Sequence, residues 1–213
     1  MLPCDLVERA ARLADRGPRT VLGIAGPPGA GKSTLAAALV AALGDRAVLV
    51  AMDGFHLADA ELDRLGRRDR KSAPDTFDAG GYVALLRRLR AREDDVVHAP
   101  LFRRELELAE AGALAVPRHV PLVVTEGNYL LADGPFAAVR ELLDECWYVE
   151  LDPSVRLARL VARHVAHGRA PEQAHAWAHG PDQRNAVLVE ATRRRADLVV
   201  SSSAGPAGPA PGR

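Results

Sequence analysis

The stretch Gly26-Pro27-Pro28-Gly29-Ala30-Gly31-Lys32-Ser33 constrains this chain more than any other. Glycine, four free positions, Gly-Lys and then Ser or Thr make a loop whose backbone N–H groups can close around phosphate oxygens. Its flanks fit that use. Residues 20–25 form an apolar strand-like run, and residues 34–43 form an Ala- and Leu-rich helical run closed by Gly44. Strand, loop and helix N-terminus aim N–H groups and the positive end of the helix dipole at an anion. Lys32 is placed to reach the β- and γ-phosphates and the Ser33 hydroxyl to ligate Mg2+, with Gly26, Gly29, Ala30, Gly31 and Thr34 completing the cradle. With 18 Gly and only two Lys in 213 residues, the pattern arises by accident in roughly one such chain per thousand. Of 28 basic residues only Lys32 and Lys71 are lysines, and a compact ammonium fits between phosphate oxygens where a planar guanidinium does not. A nucleoside triphosphate is the expected ligand.

A chain of 213 residues with 48% hydrophobic content suits one α/β domain. We expect that domain over residues 1–200, with a lid at about 156–182 and a disordered Ser/Ala/Gly/Pro tail over 201–213. The formal net charge of zero gives no sign of a nucleic-acid or membrane partner. Cys4 and Cys146 make no disulfide framework, the N-terminus carries acids and no signal peptide, and no apolar run reaches membrane-spanning length. The expectation is a soluble cytoplasmic protein.

Apolar runs at 47–52, 121–125, 147–151 and 196–200 read as buried parallel strands, with a short strand-like piece at 96–98. Helical patterns cover 4–16, 78–92, 135–144, 153–167 and 171–194, while 53–77 reads as irregular and charged. Asp78 reads as an N-cap, and Asp152-Pro153 as a cap followed by proline at the first helical position. The alternation predicts a three-layer α/β sandwich, a mostly parallel five-stranded sheet flanked by helices with a helical lid. Such sheets bind ligands at the carboxyl ends of their strands. The residues there are the glycine loop, Asp53, Glu126 and Asp152.

The chain lacks the Asn/Thr-Lys-x-Asp stretch with which GTPases identify guanine, and the Leu-Ser-Gly-Gly-Gln stretch of transporter ATPases. Small-molecule phosphoryl transfer is left. A hydroxyl acceptor benefits from a carboxylate that takes its proton, and a phosphate acceptor needs arginines but no base. Asp53 suits the base, substrate contact, or a water-mediated Mg2+ ligand, and Glu126 suits the acid that holds hydrated Mg2+. Arg156, Arg159 and Arg163 share one helix face. We read Arg156 and Arg159 as open between a solvated stripe and function, and Arg163 and Arg169 as lid arginines folding over the triphosphate.

Gly26–Ser33, Asp53-Gly54-Phe55-His56, Ala73-Pro74-Asp75-Thr76-Phe77-Asp78, Glu126-Gly127-Asn128-Tyr129-Leu130 and the arginine helix fall in an order that resembles the uridine kinase, phosphoribulokinase and bacterial pantothenate kinase family. The chain is most similar to a bacterial branch of nucleoside/nucleotide kinase-like proteins, some labelled fructose-transport kinases. The resemblance spans about residues 20–200. It implies ATP- and Mg2+-dependent phosphorylation of a hydroxyl, with the acid matching Asp53 as base and with Ser33 and the acid matching Glu126 at the metal. Three departures stand out. Ser72-Ala73-Pro74 replaces Asp-His-Pro, Pro100-Leu101-Phe102-Arg103 replaces a proline followed by Tyr-Asp-Phe, and Arg163-His164 replaces Arg-Asp. The ATP half is thus intact and the nucleoside half is not.

On the substrate side, His56, Asp75, Phe102 and Tyr129 are candidate contacts, each with a packing or turn role as its alternative. Arg67, Arg68, Arg70 and Lys71 read as an anion site or a solvated loop. Three functions remain: a hydroxyl kinase, a kinase of a phosphate-bearing acceptor such as a nucleotide, and a nucleotide-binding regulatory module. Family analogy allows a homodimer.

Overall fold

A computed structural model describes residues 2–201. Five parallel strands form the sheet: β1 (Thr20–Ala25), β2 (Ala47–Ala51), β5 (Leu122–Gly127), β6 (Glu145–Glu150) and β7 (Leu198–Ser201), in the order β2-β5-β1-β6-β7. This is the expected architecture. Every residue of β1 and β5 is buried, which is why both read as unbroken apolar runs rather than alternating ones. Helices α1 (Cys4–Ala14) and α2 (Lys32–Leu43) cover one face, where Leu13, Leu22, Leu39 and Trp147 share a core. The other face packs on α4 (Ala79–Ala91) and α5 (Ala137–Glu141) through Tyr82, Leu86, Val123 and Val139.

Local chemistry sets several boundaries. Gly44, at φ 56°, closes α2. The Asp78 carboxylate accepts from Gly81 N–H at 2.8 Å and opens α4. Asp152 accepts from Ser154 N–H at 2.9 Å and opens α6 (Pro153–Ala166), so this strand-end acid is a cap.

Several elements differ from expectation. The strand-like piece at 96–98 extends through Pro100 to Arg103 as β3 (Val96–Arg103), and it pairs antiparallel with an unforeseen β4 (Leu108–Pro117). The register shifts between Ala99 and Leu101, a bulge that accommodates a proline inside a strand. The segment 53–77 holds a short helix, α3 (Asp59–Arg64), among 3-10 turns. The expected 171–194 helix divides into α7 (Pro171–Trp177), a π-helical segment Ala178–Asp182 containing Pro181, and α8 (Gln183–Glu190). Ser201, expected to open the tail, ends β7 instead, and the rest of the expected tail, 202–213, lies outside the described residues. No helix among the described residues is long and apolar enough to cross a membrane.

Arg156 and Leu160 in α6 are fully buried. Arg156 donates from Nη1 to the Pro28 carbonyl at 3.3 Å and from Nη2 to Gln183 Oε1. The open reading of Arg156 as solvated is thereby corrected: α6 begins inside the body, wedged beneath the glycine loop.

Candidate functional site

The parallel register brings the functional strand ends together. Ala51 of β2 and Ile24 of β1 both lie opposite Glu126 of β5, so Asp53, Glu126 and the loop after β1 converge at one edge. Two glycines permit this closeness. A Cβ on Gly54 would come within 2.7 Å of the Pro100 carbonyl oxygen, and one on Gly127 within 2.6 Å of Met52 Cβ. Each acid is followed by the glycine that lets its neighbour approach. In the loop itself Gly26 takes φ 149° and Gly31 φ 102°, and a Cβ on Gly29 would meet Leu160 Cγ at 2.8 Å.

Lys32 is only 8% exposed. Its Nζ donates to the Pro27 carbonyl at 3.1 Å and to Asn128 Oδ1 at 2.8 Å. Burial pushes the ammonium down to about 8, against the pull of Glu126 and Asp53. The Ser33 hydroxyl donates to Glu126 Oε1 at 2.8 Å. This hydroxyl–carboxylate pair offers hard oxygens of the kind Mg2+ takes, leaving its other positions to phosphate oxygens and water. Among the described residues no cluster of three or more His, Cys, Asp or Glu forms a cage for a metal.

The two acids titrate in opposite directions. Burial and the Asp53 charge raise Glu126 above its ordinary value. Burial works against ionisation of Asp53 too, but His56, Arg104, Lys32 and Arg163 outweigh it and hold Asp53 below its ordinary value. Arg104 Nη2 donates to Asp53 Oδ2 at 3.1 Å. Arg163 sits within the electrostatic reach of Arg104, Asp182, Asp53 and Glu126, and burial lowers its pKa. The edge thus sets the two acids Asp53 and Glu126 beside the basic groups of Lys32, Arg104 and Arg163.

His56 Nδ1 donates to the Asp53 carbonyl at 2.8 Å, and its Nε2 lies 3.2 Å from Ser72 Oγ. Burial lowers its pKa, and a neutral ring protonated on Nδ1 accepts the Ser72 hydroxyl at Nε2. Its ring centre lies 4.1 Å from that of Phe77 and 4.8 Å from that of Phe102, each pair tilted by 41°. Both nitrogens are engaged within the protein, so His56 props the Asp53 turn instead of offering itself to substrate. Tyr129 is 1% exposed and donates its hydroxyl to the Ser72 carbonyl at 2.7 Å, which Asn185 Nδ2 also reaches at 3.1 Å. Tyr129 thus ties the end of β5 to the Ser72 backbone. Asp75 pairs with Arg70 at 2.9 Å and Arg67 at 3.3 Å. Phe102 is half-buried between His56 and Lys71, whose Nζ lies 5.7 Å from the ring centre. Arg169 does not join the edge: its guanidinium lies 4.0 Å over the ring of Trp177.

Four members of the site were not singled out from sequence. Asn128 lay inside a quoted motif, and only its reach to Lys32 reveals a role. Arg104 sits in the turn after β3, hidden by the missed hairpin. Asp182, in the π-helical segment, bonds His164 Nε2 at 2.7 Å, returning a carboxylate to the helix position where Arg163-His164 lacks one. Asn185, on α8, is brought to Ser72 only by tertiary folding.

Comparisons with known proteins agree with this geometry. The family described as AAA domain matches residues 21–185. A crystal structure described as a "putative fructose transport system kinase" from Silicibacter sp. TM1040 aligns with a TM-score of 0.84 and 38% identity, covering 92% of this chain and 97% of that one. A Schizosaccharomyces pombe protein named "Putative uridine kinase" is 31% identical over 208 residues, 92% of this chain and 88% of its own length. Pantothenate kinase of Mycolicibacterium gilvum is 32% identical over 151 residues, 68% of this chain but 48% of that protein. A glycine loop after the central strand, acids at the ends of β5 and β2 and likeness along nearly the whole length have one common source: this chain belongs to the AAA-domain family, among the P-loop kinases related to uridine and pantothenate kinases.

Proposed function

We propose that the chain is an ATP-dependent kinase that transfers the γ-phosphoryl group to a hydroxyl of a small molecule. The observation carrying this reading is the pair of strand-end acids with opposite tendencies. Glu126 sits on Ser33 beside Lys32, and Asp53 stands ionised next to them with no hydroxyl of its own to hold. Lys32 and Arg163 would neutralise charge on the triphosphate, and Ser33 and Glu126 would hold Mg2+. The metal, when bound, supplies positive charge at the phosphate oxygens. Asp53 would orient the acceptor hydroxyl and take its proton. In that step the acceptor oxygen bonds the γ-phosphorus, the bond to the bridging oxygen breaks, and ADP leaves with that electron pair.

The cluster on which a phosphate-bearing acceptor would rest, Arg67, Arg68, Arg70 and Lys71, is paired in the free chain with Asp75, Asp59 and Asp63. ADP release with Mg-ATP, measured against nucleosides, sugars, pantothenate-like alcohols and nucleotides, tests the reading. Hydroxyl compounds are expected to stimulate release at least tenfold over the Lys32→Ala blank. Stimulation by nucleotides alone points to the phosphate-acceptor reading. Tight ATP binding with silence across the panel points to the regulatory module.

A further inference from the structure

Arg104 is the first residue of the four-residue turn between β3 and β4, and its side chain pairs with the carboxylate of Asp53 at 3.1 Å. That turn is held from the opposite side. Lys71 Nζ reaches the Glu107 carbonyl at 2.9 Å and the Glu107 carboxylate at 3.4 Å, while also pairing with Asp59 at 2.8 Å. Arg104 therefore projects over the strand-end acids from a fixed backbone.

The surrounding charges limit what can bind. Asp59 is taken by Lys71 and Arg68, and Asp75 by Arg67 and Arg70. The nearby carboxylates Asp59 and Asp75 are thus engaged by basic side chains of their own segment, as Asp53 is by Arg104. Lys32 and Arg163 face the triphosphate under the kinase reading, and Arg104 is the cation left over on the acceptor side. Its pair with Asp53 is also easy to exchange. The side chains are 39% and 23% exposed, and an ion pair that opens to water is held only weakly. A guanidinium offered a carboxylate or phosphate in bidentate geometry gains more than it leaves.

We propose that Arg104 binds an anionic group, carboxylate or phosphate, on the hydroxyl-bearing acceptor, and that this exchange frees Asp53 for the acceptor's hydroxyl. One arginine then selects the substrate and keeps the base covered until the substrate arrives. This inference rests on the kinase reading and adds the acceptor's chemical class to it. With water in place of the acceptor the same bonds form and break, giving ADP and inorganic phosphate, and a covered Asp53 keeps that side reaction slow.

The test compares wild type, Arg104→Gln and Arg104→Lys on sets of acceptors sharing one hydroxyl-bearing skeleton. Each set ends in a carboxylate, a phosphate or an uncharged group, such as glycerate, glycerol 3-phosphate and glycerol, with larger skeletons chosen the same way. ADP release without acceptor is measured in parallel. In Arg104→Gln, kcat/KM for the preferred anionic member is expected to fall about 100-fold, the loss of one charged hydrogen-bonding partner. The neutral member should change less than threefold, Arg104→Lys should recover part of the loss, and acceptor-free hydrolysis should rise. Which anionic member wild type prefers separates carboxylate from phosphate recognition. Equal use of neutral and anionic members by wild type, or an equal fall for both in Arg104→Gln, overturns the anion inference and leaves the kinase reading standing. No transfer to any member, with hydrolysis unchanged in Arg104→Gln, overturns both.

Discussion

Replacing Lys32 with methionine is expected to cut acceptor-dependent ADP release by about 1000-fold and, in the absence of nucleotide, to raise the melting temperature. The two effects share one cause. Lys32 is 8% exposed, and burial depresses its ammonium to about 8. The folded chain thus holds this proton less tightly than the unfolded chain, whose lysine titrates near 10.5. Linkage then makes the group's contribution unfavourable below about 8, and stability rises as pH climbs from about 8 towards 10.5. The gap amounts to at most about 3 kcal/mol. Loss of the bonds to the Pro27 carbonyl and Asn128 Oδ1 offsets it by about 1–2 kcal/mol. A net gain of about 1–2 kcal/mol corresponds to about 2–8 °C in a chain of this size. Thermal melts of both proteins at pH 7, and of wild type between pH 7 and 10, read this directly. A lower melting temperature for the variant would mean that the two hydrogen bonds outweigh the desolvation of the charge.

For Asp53→Asn the expected loss is in kcat, by about 100- to 10 000-fold, with KM for ATP changed less than threefold. His56, Arg104, Lys32 and Arg163 hold the wild-type carboxyl below its ordinary value against burial. The deprotonated form is therefore the resting form, and the limb of the wild-type rate profile that Asp53 sets should lie in acid, below the ordinary carboxylate range. The variant should lose that acid limb. Rate measurements across Mg2+ concentration decide between the readings of Asp53. If excess Mg2+ restores the variant, Asp53 acts through the metal and is not the base.

Much of the nucleotide half was legible in the sequence because its constraints are local. The glycine loop needs positive φ at Gly26 and Gly31, and adjacent residues carry that need. Strands buried on both faces read as plain apolar runs. Even the order Asp53-Gly54 and Glu126-Gly127 has a local signature, although its reason, the approach of Pro100 and Met52, is tertiary. The acceptor half was not legible in the same way. Residues 108–117 are rich in alanine and read poorly as a strand, so the hairpin, its turn and Arg104 went unseen. Asp75, His56 and Tyr129 had the right chemistry and neighbourhood, but their partners lie at Arg70, Ser72 and other positions that only folding brings close. Arg156 looked like one member of a charged stripe, because nothing in its spacing reveals that Pro28 lies above it.

The scarcity of lysine gives the molecule a built-in reporter. Besides its α-amine the chain has two primary amines, one inside the glycine loop and one tethering the acceptor-side turn. Acylating reagents attack the uncharged amine, and at pH 8 about half of the Lys32 population is in that form, against under 1% of an ordinary lysine. Reagents small enough to enter the loop will mark Lys32 far faster than their usual targets. Lys71, with 14% of its side chain exposed, will report separately on the hairpin. Mass spectra of the two lysine-bearing peptides thus follow both halves of the site at once, without any tag or engineered residue.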